Sequence, residues 1–304
     1  MRKNAFTQGN WYKGNTHTHT TVSDGTITQE EVVRIYKTRG YDFLALTEHN
    51  TYTDTTKYDT DSFITIPGAE PMLWHNSRKT AFTAHIVCIG IPGKLKFTDG
   101  QTLEYNTAMD TPDFIRYLKD NGNFTIFAHP TWSRTRLEHF NEYIEGADAI
   151  EIYNHECEVC CGQGFSESYF ETALWGGKKV WAVAADDMHR VHSLTGGFVM
   201  CKAESLTKEN IVNALISGNF YASTGAYIDD FYVEDGVAHV LCPEARQICI
   251  YGDMYPGMAV TDPKGKLTQA SWKYQSTDGR CQYVRCKVVT DEGVAFSQPI
   301  WLED

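Results

Sequence analysis

The chain has 304 residues, of which 42% are hydrophobic and 22% are charged. These proportions are typical of a globular protein with a hydrophobic core, and they exclude a disordered or fibrous chain. The 39 acidic side chains outnumber the 27 basic ones, which gives a formal net charge of −12. Because binding of long nucleic acids needs a basic surface, this charge argues against such a partner.

No apolar run reaches the roughly 18 residues that a transmembrane helix needs, so we expect no membrane partner. The nine cysteines are scattered, and the polar N-terminus lacks the pattern of a secretory signal. We therefore expect a reduced, cytoplasmic protein. Cys157 and Cys160 form one C-x-x-C pair, which is a weak signal for metal or redox chemistry without a second pair.

Short apolar segments alternate with amphipathic ones over residues 1–224. Strands are predicted at residues 11–17, 43–47, 63–67, 83–90, 124–128, 149–153 and 180–184. Capping residues before helical patterns predict one helix after Thr28, one with Thr111 as its N-cap, and two more at residues 166–175 and 207–216. This alternation predicts a mainly parallel sheet, and about seven such units favour a barrel.

The pattern changes after Gly225. Residues 226–304 contain no convincing helix, and turn signals separate short alternating strands at residues 228–233, 237–241, 247–251, 270–274, 283–289 and 295–301. About eighty residues of this kind predict a small antiparallel β-sandwich. We therefore expect an α/β domain of residues 1–224 and a C-terminal β-sandwich domain of residues 225–304.

Histidine and carboxylate side chains recur where the predicted strands end. Two pairs, His17 with His19 and Asp187 with His189, have the i, i+2 spacing that places both side chains on one face of a strand. Each occurrence alone is compatible with an ordinary surface or core residue. Together they lie on the side where α/β folds build active sites, which predicts a metal centre. The candidate metal ligands are His17, His19, Asp24, His49, Glu70, His85, His129, Asp187 and His189.

The candidate ligands are imidazoles and carboxylates without thiolates. This donor set suits catalytic zinc, manganese or iron. Six histidines and three carboxylates are too many for one ion and enough for two or three, so two to three divalent metal ions are the expected cofactors. Glu151 is a further polar residue on an apolar strand, and the sequence assigns it no role.

The order of the motifs resembles that of the PHP family, named for polymerase and histidinol phosphatase domains. The resemblance covers about residues 11–200. The matching elements are H-x-H (His17, His19), S-D-G (Asp24), T-E-H (His49), G-x-E (Glu70), a lone strand histidine (His85), H-P (His129) and D-x-H (Asp187, His189). More loosely, segments 283–286 and 298–301 resemble the β-rich extension of a PHP branch related to the carbamate hydrolase CehA.

The resemblance implies a distorted (β/α)7 PHP barrel that carries a trinuclear metal centre. By motif, the ligands of the first ion are His17, His19, Glu70 and Asp187. The second ion shares Glu70 and adds His85 and His129. The ligands of the third ion are Asp24, His49 and His189.

Two positions depart from the family pattern. The family usually has an aspartate before the histidine of the second motif, where this chain has Glu48. That carboxylate is expected to hold a neighbouring backbone segment. The last motif usually has a serine where this chain has Asp186. The spacing to His189 selects Asp187 as the ligand, with Asp186 as the alternative.

The expected mechanism uses a metal-bridging hydroxide as the nucleophile, and the sequence contains no G-x-S-x-G motif for a serine nucleophile. Charge that develops on a phosphoryl group favours a guanidinium nearby, for which Arg134 and Arg190 are the candidates. Tyr153 and Asn154 are candidates to orient the substrate or to hold a ligand. The expected catalytic residues are Glu70, Asp187, His189, Arg134 and Arg190, and the expected substrate-binding residues are Arg134, Tyr153, Asn154 and Arg190.

Three functions fit these residues. The favoured one is a metal-dependent phosphoesterase acting on a phosphomonoester, a nucleotide or a short oligonucleotide end. The second is an amide, carbamate or ester hydrolase with the same metal centre, and the third is a metal-bearing module without catalytic activity. The expected partner is a small anionic substrate, since metal ions make the pocket electropositive beneath an acidic surface. The sequence leaves the oligomeric state open.

Overall fold

A computed structural model describes residues 2–74, 83–103, 109–253, 257–274 and 281–302. Within these ranges the chain forms six α-helices and nineteen β-strands. The helices are α1 (Gln29–Thr38), α2 (Thr111–Asp120), α3 (Phe140–Tyr143), α4 (His155–Cys161), α5 (Glu167–Trp175) and α6 (Lys208–Ser217). None of them has the length and apolar character needed to cross a membrane.

The strands fall into two groups along the chain. Those up to residue 223 are β1 (Lys3–Asn4), β2 (Asn10–Asn15), β3 (Phe43–Leu46), β4 (Ile64–Ala69), β5 (Met72–Trp74), β6 (Thr83–Gly90), β7 (Asn123–Phe127), β8 (Ala149–Asn154), β9 (Trp181–Ala185), β10 (Phe198–Ala203) and β11 (Phe220–Ser223). The later ones are β12 (Asp230–Glu234), β13 (Val237–Ala245), β14 (Gln247–Gly252), β15 (Met258–Thr261), β16 (Leu267–Lys273), β17 (Tyr283–Val289), β18 (Val294–Ser297) and β19 (Ile300–Trp301).

The helices begin at polar caps. At α1 the Thr28 hydroxyl accepts a hydrogen bond from the Glu31 backbone N–H at 3.3 Å, as the capping pattern predicts. At α2 the predicted cap is wrong by one residue, because the Asp110 carboxylate accepts from the Asp113 N–H at 3.0 Å. Thr111 is therefore the first helical residue.

The larger sheet has fifteen strands and mixed direction. β2, β3 and β4 pair in parallel, as do β7, β8 and β9. Between these two groups, β6 runs antiparallel to both β4 and β7, and β10 runs antiparallel to β2. The sheet therefore departs from the mainly parallel arrangement that the sequence predicts, because β6 enters it from the opposite direction and the strands from β10 onwards pair antiparallel.

The expected distorted (β/α)7 barrel is not confirmed, since the hydrogen-bonded strands form an open path from β15 to β9. The path nevertheless bends back on itself, with β9 beside β10 and β11 and a single backbone bridge between Thr18 and Met188. Apolar side chains from β3, β4 and β6 to β11 pack into one core with α6. This shared core holds the strand ends close together.

The C-terminal strands contribute to both sheets. β12, β13 and β16 form a four-stranded antiparallel sheet with β1, whereas β18 pairs with β11 and joins β14, β15, β17 and β19 to the larger sheet. Side chains from both sheets pack into one core, for example Phe231 and Val240 of the four-stranded sheet and Ile248 and Val288 of the larger sheet. Because β11 and β18 join the two parts, the division at residues 224 and 225 stays a prediction.

Segments 283–286 and 298–301 tie the C-terminal strands to the rest of the chain. The Gln298 side chain makes two hydrogen bonds of 2.8 Å with the Ala182 backbone. The buried Arg285 guanidinium pairs with Glu171 and lies 3.6 Å from Glu167, both on α5. These contacts fix β17 and the segment before β19 against α5 and β9.

Candidate metal centre

The strands bring all nine predicted ligands to one edge of the larger sheet. Eight of them follow the carboxyl ends of β2, β3, β4, β7 and β9. Because parallel strands end at the same edge, these side chains converge. His85 lies near the beginning of β6, which runs in the opposite direction, so this start reaches the edge where its neighbours end.

Four of the ligands form an inner cluster of His17, His19, Glu70 and Asp187, all of them buried. The Nε2 atoms of His17 and His19 are 3.0 Å apart, and each lies 3.1 Å from Asp187 Oδ1. Each also lies 3.2 Å from an oxygen of Glu70. This group matches the four residues that the motif order assigns to the first ion.

An outer cluster of Asp24, His49 and His189 lies beside the inner one. Asp24 Oδ2 is 3.4 Å from His49 Nε2, and Asp24 Oδ1 is 3.4 Å from His189 Nε2. His19 Nδ1 lies 3.9 Å from Asp24 Oδ1, so His19 contacts both clusters through its two ring nitrogens. The outer cluster is open to water, since the Asp24 side chain is 56% exposed.

Glu70 joins the remaining ligands to these clusters. Its Oε1 lies 3.0 Å from His85 Nδ1 and 3.3 Å from His129 Nε2, and its Oε2 lies 2.9 Å from His49 Nδ1. The resemblance pairs Glu70 with His85 and His129 and places His49 with the outer ion. In the structure, His49 contacts Asp24 of the outer cluster through Nε2 and Glu70 of the inner cluster through Nδ1.

Three buried polar atoms of the centre, Glu70 Oε2, Asp187 Oδ1 and His49 Nδ1, lie close to other ligand atoms, but none of these contacts has hydrogen-bond geometry in the described part of the chain. A buried unsatisfied polar atom costs about 1–3 kcal/mol, and more when it is charged. Divalent cations between these imidazole and carboxylate groups would remove that cost. The residues therefore fit divalent metal ions that accept nitrogen and oxygen ligands.

The cluster is electrostatically coupled. Burial alone raises the pKa of Glu70, but the facing His17, His85 and His49 outweigh it and hold the pKa well below its usual range. For His17, burial lowers the pKa, whereas Asp187 and Glu70 raise it well above its usual value. Without metal ions, a proton on His17 therefore helps to compensate the ionised carboxylates.

Glu151 positions two of the ligands. Its Oε1 lies 2.6 Å from His17 Nδ1, and its Oε2 accepts hydrogen bonds of 2.9 Å from the His129 backbone N–H and from Asn154 Nδ2. A carboxylate on the far nitrogen of a ligating histidine fixes its tautomer and ring orientation. The sequence signal for this role is an acidic residue inside the otherwise apolar strand β8.

Glu48 holds the turn that carries Asp24. Its carboxylate accepts hydrogen bonds from the Thr20 backbone N–H at 2.9 Å, from the Thr20 hydroxyl, and from the Ser23 hydroxyl at 2.6 Å. This is the backbone-holding role that the sequence predicts for the residue.

Asp186 and Asp187 point in different directions. Asp186 accepts hydrogen bonds from the Tyr36 hydroxyl at 2.5 Å and from three backbone N–H groups of residues 195–197. Asp187 faces the histidines, and its backbone has the left-handed φ of 52°. His129 also has a positive φ, of 28°. Such backbone conformations are costly for residues other than glycine and concentrate at functional sites.

A cavity of about 470 Å³ opens above the ligands. Its other lining residues include Met72, Trp132 and Arg190, so an apolar wall and one guanidinium face the ligands. Another cavity of about 490 Å³ is lined by residues such as Tyr52, Pro67 and Phe97, and no histidine belongs to its described lining. The predicted metal ligands therefore adjoin the first cavity.

The four predicted substrate-binding residues occupy different places. Arg190 lines the cavity, whereas Arg134 lines a neighbouring depression with Trp132. The Tyr153 hydroxyl lies 2.8 Å from His155 Nδ1. Asn154 is buried, donates to Asp187 Oδ2 at 3.1 Å and caps α4. Among the described residues that line the cavity, Arg190 is thus the one member of this set.

No protein-family model matches the chain, and no curated protein matches it by sequence. Among solved structures, it is similar to a two-domain protein from Bacteroides vulgatus that contains a predicted PHP-like metal-dependent phosphoesterase, with 14% identity, 97% coverage of each chain and a TM-score of 0.50. At this identity the similarity shows a shared fold. The resemblance that the motif order predicts is thereby confirmed for the fold.

Two further structures are more distant. One, from Bifidobacterium adolescentis, is provisionally described as a metal-dependent phosphoesterase, with 15% identity over 67% of this chain and 95% of that one and a TM-score of 0.43. The other is an amidohydrolase from Chromobacterium violaceum with bound sulfate, with 15% identity over 59% of this chain and 88% of that one and a TM-score of 0.40. Neither is similar enough to inform the function of this chain.

Proposed function

We propose that the protein is a metal-dependent hydrolase, and specifically a phosphoesterase that acts on a small phosphate ester. The convergence of six histidines on Glu70, Asp187 and Asp24 at the base of one cavity carries this proposal. Bound divalent cations would polarise a phosphoryl oxygen and lower the pKa of water to about 7. We further propose zinc, manganese or iron as the ions and the cytoplasm as the compartment, where nine free cysteines stay reduced.

The residues around the cavity support a small anionic substrate. Arg190 supplies a guanidinium, which binds phosphate oxygens in a bidentate manner. Trp132 lies with its ring 4.9 Å from that of His129 and provides an apolar surface for an organic leaving group. A volume of about 470 Å³ is within the range of small-molecule sites, and the net charge of −12 disfavours a polymeric anion.

A carbonyl substrate is the second candidate, and one observation favours it. Arg134 lies in the neighbouring depression, which leaves Arg190 as the one arginine in the described lining of the cavity. Met72 and Trp132 make much of the remaining wall apolar. An amide, carbamate or ester hydrolase needs fewer cationic contacts than a phosphoesterase, and the looser resemblance to the CehA branch is consistent with it.

Parallel assays of p-nitrophenyl phosphate and a naphthyl carbamate separate the two candidates. The protein is stripped with a chelator and reloaded separately with zinc, manganese or iron. We expect phosphate-ester hydrolysis that disappears on stripping, returns on reloading and falls in Arg190→Ala. Arg134→Ala is the matched control and should keep its activity. Hydrolysis of the carbamate alone would favour the second candidate, and inactivity of every metal form on both substrates would contradict a hydrolase of either kind.

A further inference from the structure

A cluster of three different ligand types lies at the rim of the cavity. Glu156, Cys160 and His192 each present a donor atom within 4.8 Å of the others. Cys160 Sγ lies 3.0 Å from Glu156 Oε1 and 3.7 Å from His192 Nε2, and His192 Nε2 lies 3.5 Å from Glu156 Oε2. We call these three residues the rim cluster. None of them belongs to the inner or outer cluster.

The local structure explains why these residues meet. Glu156 and Cys160 are separated by one turn of α4, which places them on the same face of the helix. Asn154 caps this helix through the Cys157 N–H at 2.9 Å, and the Glu156 N–H donates to the Asp186 carbonyl at 2.9 Å. His192 lies on a short 3₁₀ turn at residues 191–193, which packs against α4. Hydrogen bonds and packing therefore fix the backbone that carries the rim cluster.

One atom of the cluster indicates a missing partner. Glu156 Oε2 is buried, and in the part of the chain that the structure describes it makes no hydrogen bond, since its 3.5 Å contact with His192 Nε2 lacks hydrogen-bond geometry. The Glu156 side chain is only 16% exposed, whereas His192 is 49% exposed and Cys160 is exposed. One oxygen of this carboxylate faces the thiol and the other faces the imidazole, and a cation between the three groups would satisfy the buried oxygen.

We infer that Glu156, Cys160 and His192 form a separate metal site at the cavity rim for a borderline-soft divalent cation such as zinc. Zinc accepts oxygen, sulfur and nitrogen ligands in a tetrahedral arrangement. Three protein ligands leave a fourth position for water or for a ligand that enters the cavity. The site differs chemically from the inner and outer clusters, which contain imidazole and carboxylate groups alone.

The hydrogen bond to Glu156 raises the pKa of the Cys160 thiol to about 11. Without a metal ion this thiol is therefore protonated at neutral pH and is a poor nucleophile. Binding of a cation has to displace the proton, as is usual for cysteine ligands.

Cadmium titration tests the rim site directly, because sulfur-to-cadmium charge-transfer absorption reports only thiolate ligands. Cadmium chloride is added to the full-length, metal-loaded protein. We expect a saturable band equivalent to a single ion per chain in the wild type and in Cys161→Ser, the matched control at the neighbouring exposed cysteine. Cys160→Ser should lose the band. His192→Ala should weaken cadmium binding by more than about tenfold. Removing a residue that only hydrogen-bonds to a metal ligand already lowers metal affinity by about 10- to 100-fold.

The expected band also distinguishes this inference from the proposed hydrolase activity. Glu70→Gln, which should be inactive, is expected to keep the band. A wild type without a saturable band would overturn the rim site, as would a band that survives in Cys160→Ser or disappears in Cys161→Ser. Circular dichroism and thermal unfolding of each variant verify that it is folded. Loss of hydrolysis in Glu70→Gln bears on the proposed function and leaves the rim site unaffected.

Discussion

The inner and outer clusters use the same two ligand types but differ in their access to water. The side chains of Glu70 and Asp187 are 0% and 7% exposed, whereas that of Asp24 is 56% exposed. A buried carboxylate has to be satisfied by the groups around it, while an exposed one is also satisfied by water. We therefore expect ions in the inner cluster to be held tightly and the ion in the outer cluster to exchange more readily.

The largest expected effect comes from Glu70→Gln. The variant removes the carboxylate charge that contacts His17, His49 and His85, so it should disturb both clusters at once. We expect loss of at least two ions and a fall in kcat/KM of more than about 1000-fold. This exceeds the roughly 10- to 100-fold loss of metal affinity or activity that follows when a residue hydrogen-bonded to a metal ligand is removed. Kinetics and elemental analysis measure both effects.

Glu142→Gln is the matched control, because this glutamate side chain is 83% exposed. It should retain full activity and metal content. Full metal content and turnover in Glu70→Gln would contradict the joining role of that carboxylate.

A smaller effect, confined to the inner cluster, is expected for Glu151→Gln. The variant removes the carboxylate charge from His17 Nδ1 but leaves all nine ligands in place. Its inner ions should bind about 100-fold more weakly, as when the partner of a ligating histidine is lost. Competition with a chelator measures this affinity.

Glu48→Gln, which weakens the turn carrying Asp24, should instead release the outer ion. If Glu151→Gln and Glu48→Gln weakened metal binding equally at both clusters, the inner and outer clusters would not be separate binding sites.

Asp24→Asn should affect only the outer cluster. It removes a carboxylate that lies 3.4 Å from His49 and His189 and 3.9 Å from His19, while the contacts among the four inner ligands stay in place. We expect the loss of a single ion and a fall in activity of about tenfold, the lower end of the range for disturbed metal sites. Metal content per chain, measured after dialysis, gives the answer. Loss of every ion would show that the two clusters bind their ions as one unit.

The smallest effect concerns the pH dependence of the metal-stripped protein. Burial lowers the pKa of His49, but Glu70 and Asp24 outweigh it and raise the pKa from 6.5 to about 10. A histidine with a raised pKa stabilises the folded state below its unfolded pKa, and this contribution disappears as the pH rises through the folded value. The Tm of the stripped protein should therefore fall between about pH 6.5 and pH 10.

The metal-loaded protein should not show this fall, because its ligands hold ions in place of protons. Differential scanning calorimetry of both forms across this range makes the comparison. Identical pH profiles of the two forms would indicate that protons and metal ions do not compete for these histidines.

The ligand set is the part of the site that the sequence predicts best. Polar residues that end apolar segments, such as His49 and Glu70, are conspicuous because a buried strand otherwise continues as an apolar run. The i, i+2 spacing of His17 and His19 adds a geometric rule. These local signals are sufficient to identify the edge of the sheet where the ligands meet.

Other features depend on tertiary structure. An apolar strand has the same pattern in both directions, so the sequence does not reveal that β6 is antiparallel to its neighbours. Arg134 and Arg190 each follow a motif histidine, yet only the chain path shows that Arg190 lines the cavity. Glu156 and His192 are 36 residues apart in the sequence, and only the packing of α4 against the turn at residues 191–193 brings them and Cys160 together.

The metal content of the purified protein tests the central claim most directly. Elemental analysis is carried out on protein that has never been exposed to a chelator, alongside Glu70→Gln purified in the same way. We predict two to three divalent ions per chain at the inner and outer clusters of the wild type and at least two fewer in the variant. Any zinc or cadmium bound at the rim cluster is counted separately, by comparing the wild type with Cys160→Ser. Fewer than two ions in the wild type, or equal content in the wild type and Glu70→Gln, would contradict a multinuclear centre built on Glu70.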